Sequence, residues 1–472
     1  MLKKLDRTTA GVPQNRPVKV LQFGGGNFLR GFADWIIDVL NEKTDFNGSI
    51  DVITSVTPGT AEQINKQQGL YHLIQQGNKN GKRFSETRLI TSINCAINPA
   101  EDFDAFLAAA RNPDLRFIIS NTTEAGIAFD QTDATIDELP KSFPGKLTLL
   151  LYRRFQHFQA ATDKSVILLP CELIEQNGDT LKNIVLQYVT HWRLPDTFAG
   201  WIEENIFCNT LVDRIVPGFP TESIGELQQA TGFTDSLAVA AEPFYFWAIE
   251  APQALQNEFP TQRAGLNDVV FAEDITPYRL RKVRILNGAH TALMPVAYLR
   301  GIQTVKEAMD DPFIERFLHN TIATEIIPTL TLPQHELEDF ANAVADRFRN
   351  PFIKHLLLSI SLNSISKFKT RVLPTLLEYV DQKKTLPENL ITAFAALLCF
   401  YKGIWKGEVI PLNDSPEVIS IIQTAWKESS TEKTMSKILS NTALWSSDLT
   451  KINGLMEAMI SNVDRLLADG SK

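Results

Sequence analysis

The sequence predicts an α/β N-terminal domain built on a mainly parallel sheet, followed by a mostly α-helical C-terminal domain. Three observations predict this. Short apolar runs alternate with helical periodicity in the first half of the chain. A glycine turn stands directly after the first apolar run. Beyond about Ile275 strand-like runs become rare and amphipathic helical patterns take over, so the domains are expected at 1–274 and 275–472. A chain of 472 residues is too long for one ordinary core, which agrees with two.

Val18–Phe23 reads as a buried strand, Gly24-Gly25-Gly26 as the turn, and the stretch from Asn27 as a helix with Phe28, Phe32, Trp35, Ile36 and Val39 on its apolar face. Asp51–Val56 reads as the second strand, with Pro58-Gly59 after it. Phe117–Asn121 and Val166–Pro170 read as further strands, and helical-looking segments such as Asp102–Ala110 separate the strands. In the second half the helical segments are 280–300, 312–327, 334–348, 351–367, 387–404, 415–427 and 432–440.

Hydrophobic residues make up 44% and charged residues 21%, ordinary values for a soluble globular protein. A net charge of −9 disfavours nucleic acid and anionic membranes as partners, while leaving room for a local basic pocket. The N-terminus has two lysines but no apolar run behind them, unlike a signal peptide, and Ala395–Tyr401 is too short to span a bilayer. Cys95, Cys171, Cys208 and Cys399 are scattered and form no CxxC pair, and the seven histidines show no ligand spacing. A cytoplasmic, metal-free protein is therefore expected. Oligomeric state is not readable from the chain.

Strand, Gly24-Gly-Gly26 and helix in succession suit a pyrophosphate, because glycines let the backbone approach the phosphate oxygens. The domain is thus expected to be Rossmann-like and to bind a dinucleotide. The full GxGxxG pattern is not met, since Leu29 stands at the third glycine. The second strand ends polar but uncharged through Thr57, so NAD and NADP stay open on this ground.

Arg281-Lys282-Val-Arg-Ile-Leu-Asn287-Gly-Ala-His290 is the most informative segment. On an α-helix Lys282 and His290 share a face, with Asn287 somewhat offset. A lysine on a partly buried face loses hydration, which lowers its pKa toward neutrality and suits a general acid/base. Asn287 could donate to a carbonyl oxygen and His290 could orient either group. The same stripe would equally serve as a solvated face. A second candidate is Pro170-Cys171-Glu172 with Asn177-Gly178, just past a strand, where Asn177 could be another donor or simply part of a turn. Val212-Asp213-Arg214 could be a structural ion pair.

Together these pieces resemble the long-chain mannitol dehydrogenase family over nearly the whole chain. Gly24, Gly26, Phe28 and Arg30 match its GxGxFxR turn; 120–126, 212–217, Glu242-Pro-Phe with Trp247, and the Lys-x4-Asn-x2-His spacing match in order. The resemblance implies NADH-dependent, metal-free interconversion of a sugar-acid ketone and its alcohol. It implies Lys282, Asn287, His290 and Asn177 as catalytic residues. It also implies Phe23, Gly24, Gly25, Gly26, Asn27, Phe28, Asn121, Thr122 and Thr123 around NAD. Gly25 departs from the larger, often acidic residue expected there. A sugar-acid carboxylate needs a cation: Lys367 is favoured, with Arg371, Arg30 and Arg284 as the other candidates. Tyr278 and Lys282 also form the YxxxK pair of short-chain dehydrogenases, but that family's glycine pattern is absent. The scattered cysteines disfavour a zinc alcohol dehydrogenase, and a dinucleotide-sensing regulator would not need Lys282.

Overall fold

The computed structural model describes residues 2–13, 16–54, 59–123 and 125–470. The far end of the expected second strand, Ser55–Thr57, with Pro58 after it, and Glu124 of the 120–126 motif lie outside the described residues.

The chain divides into two compact units, Met1–Gln76 with Arg83–Ile275, and Gly77–Lys82 with Thr276–Lys472. The expectation of one boundary near 274 has no counterpart for the hairpin tip 77–82, which clusters with the helical unit. There the Gly81 N–H donates to the Asp346 carboxylate at 3.1 and 3.0 Å.

In the first unit β1 (Val18–Phe23), β2 (Ser49–Ile53), β5 (Ile93–Ile97), β6 (Phe117–Ser120), β7 (Ile167–Pro170) and β8 (Ile206–Phe207) form one parallel sheet. Its order is β5-β2-β1-β6-β7-β8. Both faces are buried, as a parallel sheet requires. Val20, Phe117, Ile119, Ile167 and Leu169 enter one core with Phe32 and Ile36. Their neighbours Leu21, Phe23, Ile118 and Leu168 enter the other with Leu147, Leu150 and Val185. The strand order reverses between β1 and β6, the place where open α/β sheets bind ligands.

The first helix is broken where one continuous helix was expected: α1 (Asn27–Arg30) stops at Gly31 and α2 (Ala33–Lys43) follows. A Cβ on Gly31 would stand 2.8 Å from Val216 Cγ1, so the chain passes close there. The pattern missed β3 (Tyr71–Lys79) and β4 (Lys82–Ile90), a hairpin around Asn80-Gly81. It also missed β5 and β8 of the parallel sheet, and further strands including β9 (Thr210–Asp213), β10 (Val239–Ala241), β11 (Phe246–Glu250) and β12 (Val269–Ala272). Two longer helices here are α3 (Phe143–His157) and α4 (Asn177–His191).

The second unit is helical. Its key run is α5 (Thr276–Arg281), a π-helical segment over Lys282–Gly288, and α6 (Ala289–Leu299). Against these pack α7 (Gln334–Phe348) and α8 (Ser364–Arg371), with the apolar α9 (Glu388–Phe400) behind. The helix expected over 351–367 does not form as one piece. An antiparallel bridge ties Leu356 to Thr304, Leu357–Ile360 makes one turn, and Asn363 takes φ 53° before α8 begins. Pro351 and these tertiary ties override the local pattern. No described helix is long and apolar enough to cross a membrane.

Candidate active site

At the strand-order switch of the first unit lies a cavity of about 790 Å³. Phe23, Gly24, Gly25, Gly26, Asn121 and Thr122 line it, with Thr123. Gly24 has φ +118°, and a Cβ there would stand 2.8 Å from the Asn121 carbonyl oxygen. Only glycine fits. Gly26 precedes α1 with extended backbone and has open space at its Cβ position, so a ligand can approach the main chain. This cradle fits a dinucleotide pyrophosphate. A Cβ on Gly25 would press on the methyls of Thr60 and Thr54 at 3.2 and 3.3 Å, which accounts for a small residue here.

The other wall is held by Glu172. Its buried carboxylate accepts from Thr122 N (3.0 Å), Thr122 Oγ1 (3.1 Å) and Ser120 Oγ (3.0 Å). Burial pushes the Glu172 carboxyl up, against the pull of those bonds. Asn121 Nδ2 donates to the Cys171 carbonyl at 2.8 Å. The segment Pro170-Cys171-Glu172 therefore shapes the loop after β6. The sequence reading had not placed Lys146 or Phe143 at the cavity, because α3 lies far along the chain from the glycine turn.

Several predicted residues are consumed by the protein itself. Asn177 is 1% exposed. Its Nδ2 donates to the carbonyls of Pro170 (2.9 Å), Glu172 (3.1 Å) and Thr210 (3.2 Å), and its Oδ1 accepts from Thr210 N (2.8 Å). With the amide filled, the expectation that it donates to a substrate oxygen is corrected: it ties β7 to β9. Asn177-Gly178 is not a turn either, since it opens α4, and Gly178 lets that helix touch the Cys208 carbonyl. Arg30 is also corrected. It is buried, donates to the carbonyls of Gly25 (3.3 Å) and Leu237 and to Asn27 Oδ1 (2.7 Å), and stacks on Tyr71. Asn27 is thereby turned to Arg30. Phe28 stacks on Phe32 at 5.1 Å, in contact with the core. Neither Asn27 nor Phe28 is among the residues lining the cavity. Arg284 is spent on a bidentate pair with Glu378 and on Thr329. Arg214 spends its guanidinium on the carbonyls of Gly31 (2.7 Å) and Glu242 (2.9 Å).

The second unit holds the other predicted residues. In the π-helical segment the backbone repeat closes from i to i+5, so Asn287 stands one turn above Lys282 instead of offset from it. Lys282 and Asn287 are half-buried. Among the described residues nothing hydrogen-bonds the Asn287 side-chain amide. His290 stacks on Phe348 at 4.0 Å, and its buried Nε2 has no partner. Burial and then the nearby His355, Arg347, Arg371 and Lys367 hold its pKa well below the usual histidine value, so its ring is neutral. Gly288 brings α8 close: a Cβ there would lie 3.2 Å from the Arg371 carbonyl oxygen. Lys367 and Arg371, at i and i+4 of α8, share a face. Lys367 Nζ donates to the Ile360 carbonyl at 2.9 Å. The half-buried Arg371 guanidinium has no hydrogen bond or ion pair among the described residues.

Tyr278 behaves unlike a catalytic tyrosine. Burial and Glu336 push its pKa up, whereas a phenolate base needs it down. No group of three His, Cys, Asp or Glu among the described residues is placed to hold a metal ion. A further cavity of about 670 Å³, lined by Leu318, Ile322 and Arg349, contains none of the predicted site residues.

Comparison with known proteins agrees with this architecture. Residues 18–262 match the mannitol dehydrogenase Rossmann domain, and 274–467 the mannitol dehydrogenase C-terminal domain. The altronate oxidoreductase of Yersinia pestis is 46% identical over 466 residues, covering 97% of this chain and 96% of that one. Its counterpart from Escherichia coli O139:H28 is 45% identical over 463 residues, with the same coverage. These names agree with segments such as QFGGGNFLRGFADW and RKVRILNGAHTAL, which resemble tagaturonate reductase (altronate oxidoreductase) more than polyol dehydrogenases. Among solved structures, a substrate-free D-sorbitol dehydrogenase aligns with TM-score 0.81 at 23% identity, covering 99% of both chains. A Pseudomonas fluorescens mannitol 2-dehydrogenase ternary complex with NAD and D-mannitol aligns with TM-score 0.66 at 21% identity, covering 99% of this chain and 98% of that one. The chain belongs to the mannitol dehydrogenase family, whose members are oxidoreductases acting on CH–OH groups.

Proposed function

We propose that this protein catalyses the reversible, NADH-dependent reduction of D-tagaturonate to D-altronate, a step of hexuronate catabolism. The names of its relatives support the substrate. The observation that carries the chemistry is the set of unsatisfied polar groups around the Lys282 segment: the Asn287 amide, His290 Nε2 and the Arg371 guanidinium. Buried polar groups are normally paired, so the buried His290 Nε2, beside the half-buried Asn287 and Arg371 side chains, is shaped for a polar ligand.

A bound nicotinamide supplies a hydride to the ketone carbon, and the glycine cradle with Asn121, Thr122 and Thr123 would hold its dinucleotide. The complex of the mannitol 2-dehydrogenase with NAD supports NAD as the cofactor. As negative charge grows on the carbonyl oxygen, the Asn287 amide donates to it and the Lys282 ammonium transfers a proton to it. In the oxidising direction Lys282 takes that proton back. Neutral His290 accepts from, or donates to, a neighbouring hydroxyl. Arg371 and Lys367 bind the carboxylate, the first as a fork and the second as a point charge.

The test is NADH oxidation in the presence of chelator with tagaturonate, fructuronate and fructose. Tagaturonate is expected to be preferred by at least about 10-fold in kcat/KM. Preference for fructuronate would reassign the substrate within the uronates, and preference for fructose would make the protein a polyol dehydrogenase. Lys282→Ala should lose roughly 10²–10⁴-fold in kcat. Near wild-type turnover in that variant would remove the proposed acid/base.

A further inference from the structure

We propose that His355 is a specificity-determining side chain, which joins Arg371 and Lys367 in binding the carboxylate-bearing end of the substrate. This rests on the sugar-acid reading above and adds a residue to it.

His355 lies in the irregular stretch before α8, and its backbone is fixed. Its carbonyl accepts from Val305 N at 3.0 Å, and Leu357 N donates to the Gln303 carbonyl at 2.9 Å. This bridge presents the imidazole edge-on to His290, ring centroids 5.1 Å apart at 77°. Among the described residues neither ring nitrogen has a hydrogen-bond partner. The ring is half-buried, and burial followed by the charge of Lys367 holds its pKa below the ordinary histidine value. It is therefore a neutral imidazole with one N–H to give.

The local charge decides which end of a sugar acid this site suits. Lys367 meets only a backbone carbonyl, and Arg371 meets no acceptor among the described residues. Among the described residues the carboxylate that acts on Lys367 is Asp414, and it is occupied by Tyr401 Oη and by Ser415 N at 2.8 Å. The locality thus keeps net positive charge. A carboxylate offers about four lone-pair sites, enough for the Arg371 fork, the Lys367 ammonium and the His355 N–H together. A neutral polyol would leave two of these cations unpaired.

Two experiments test this. In His355→Leu the KM for tagaturonate should rise about 10-fold, the cost of one hydrogen bond to a charged group, with kcat changed by less than about threefold. The KM for fructose should stay unchanged, and His355→Gln, which keeps an N–H, should recover part of the loss. Equal effects on acid and neutral ketose, or none on either, would overturn the proposal. The second experiment uses the wild-type protein. Acylation of His355 by diethyl pyrocarbonate, read by mass spectrometry, should be suppressed by D-altronate and not by D-sorbitol. Equal labelling with both ligands overturns the proposal even if the variants fail to fold. If the enzyme turned over fructose and no uronate, the substrate reading itself would fail, while protection by the altronate anion would still decide the role of His355.

Discussion

Asn177 and Asn287 are the same residue type, both placed by the sequence among possible donors, yet their surroundings differ. The amide of Asn177 is closed on four backbone groups, while that of Asn287 meets none among the described residues. Asn177→Ala should therefore cost stability, on the order of 1–3 kcal/mol for each buried group left unpaired, seen as a lowered urea midpoint. Asn287→Ala should leave the midpoint in place and lower kcat by roughly 10²–10³-fold, as losing one oxyanion donor does. The reverse pattern would exchange their roles. The glycine turn was legible because its chemistry is local, and Gly24→Ala should weaken NADH binding through the 2.8 Å clash with the Asn121 carbonyl. The commitment of Arg30 and Arg284 was not legible. Their acceptors, Leu237 and Glu378, are far away in sequence.

Among the elements, the helix over 280–300 was legible from its apolar stripe, but its π-helical stretch was not. One extra residue per turn leaves the composition unchanged and shifts only the register, which moves Asn287 onto the line of Lys282. Gly288 is the element's second device. In Gly288→Ala the Cβ 3.2 Å from the Arg371 carbonyl should push α8 away, raising KM for the sugar acid more than it lowers kcat. Equal change in both would mean the segment itself had been disturbed. The other π-helical segment, Thr321–Ile326, carries Glu325, whose carboxylate accepts from Asn389 N and Leu390 N, each at 2.8 Å, and so caps α9. Glu325→Gln should lower Tm, because a charged acceptor at a helix N-terminus contributes roughly 0.3–2 kcal/mol.

For the molecule as a whole, acid sensitivity follows from groups in both units. Asp235 is buried, which raises its pKa. Hydrogen bonds from His72, Gln67 and backbone N–H groups outweigh that and leave it depressed. A depressed carboxylate stabilises the fold above its unfolded pKa, and that contribution is lost as pH falls through the folded value. His290 and His355 have folded pKa values below the unfolded one, so the unfolded chain takes up more protons as pH drops below about 6.5. These two rings therefore lower stability below that pH, against the buried Asp34 carboxyl, which burial pushes up to about 7 and whose protonation favours the fold over the same range. His290→Phe should flatten the upper part of the pH–Tm curve, and an unchanged curve would contradict a neutral buried ring.

From the sequence alone came the parallel α/β unit, the glycine cradle, the helical second unit and the Lys-Asn-His segment. Each depends on periodicity or spacing within a few residues, which local sterics and burial dictate. Only the tertiary structure decided which polar side chains are spent on the protein and which stay open to a ligand. That depends on partners brought together from distant parts of the chain, and no local pattern records where a carbonyl some 30 or 200 residues away will arrive.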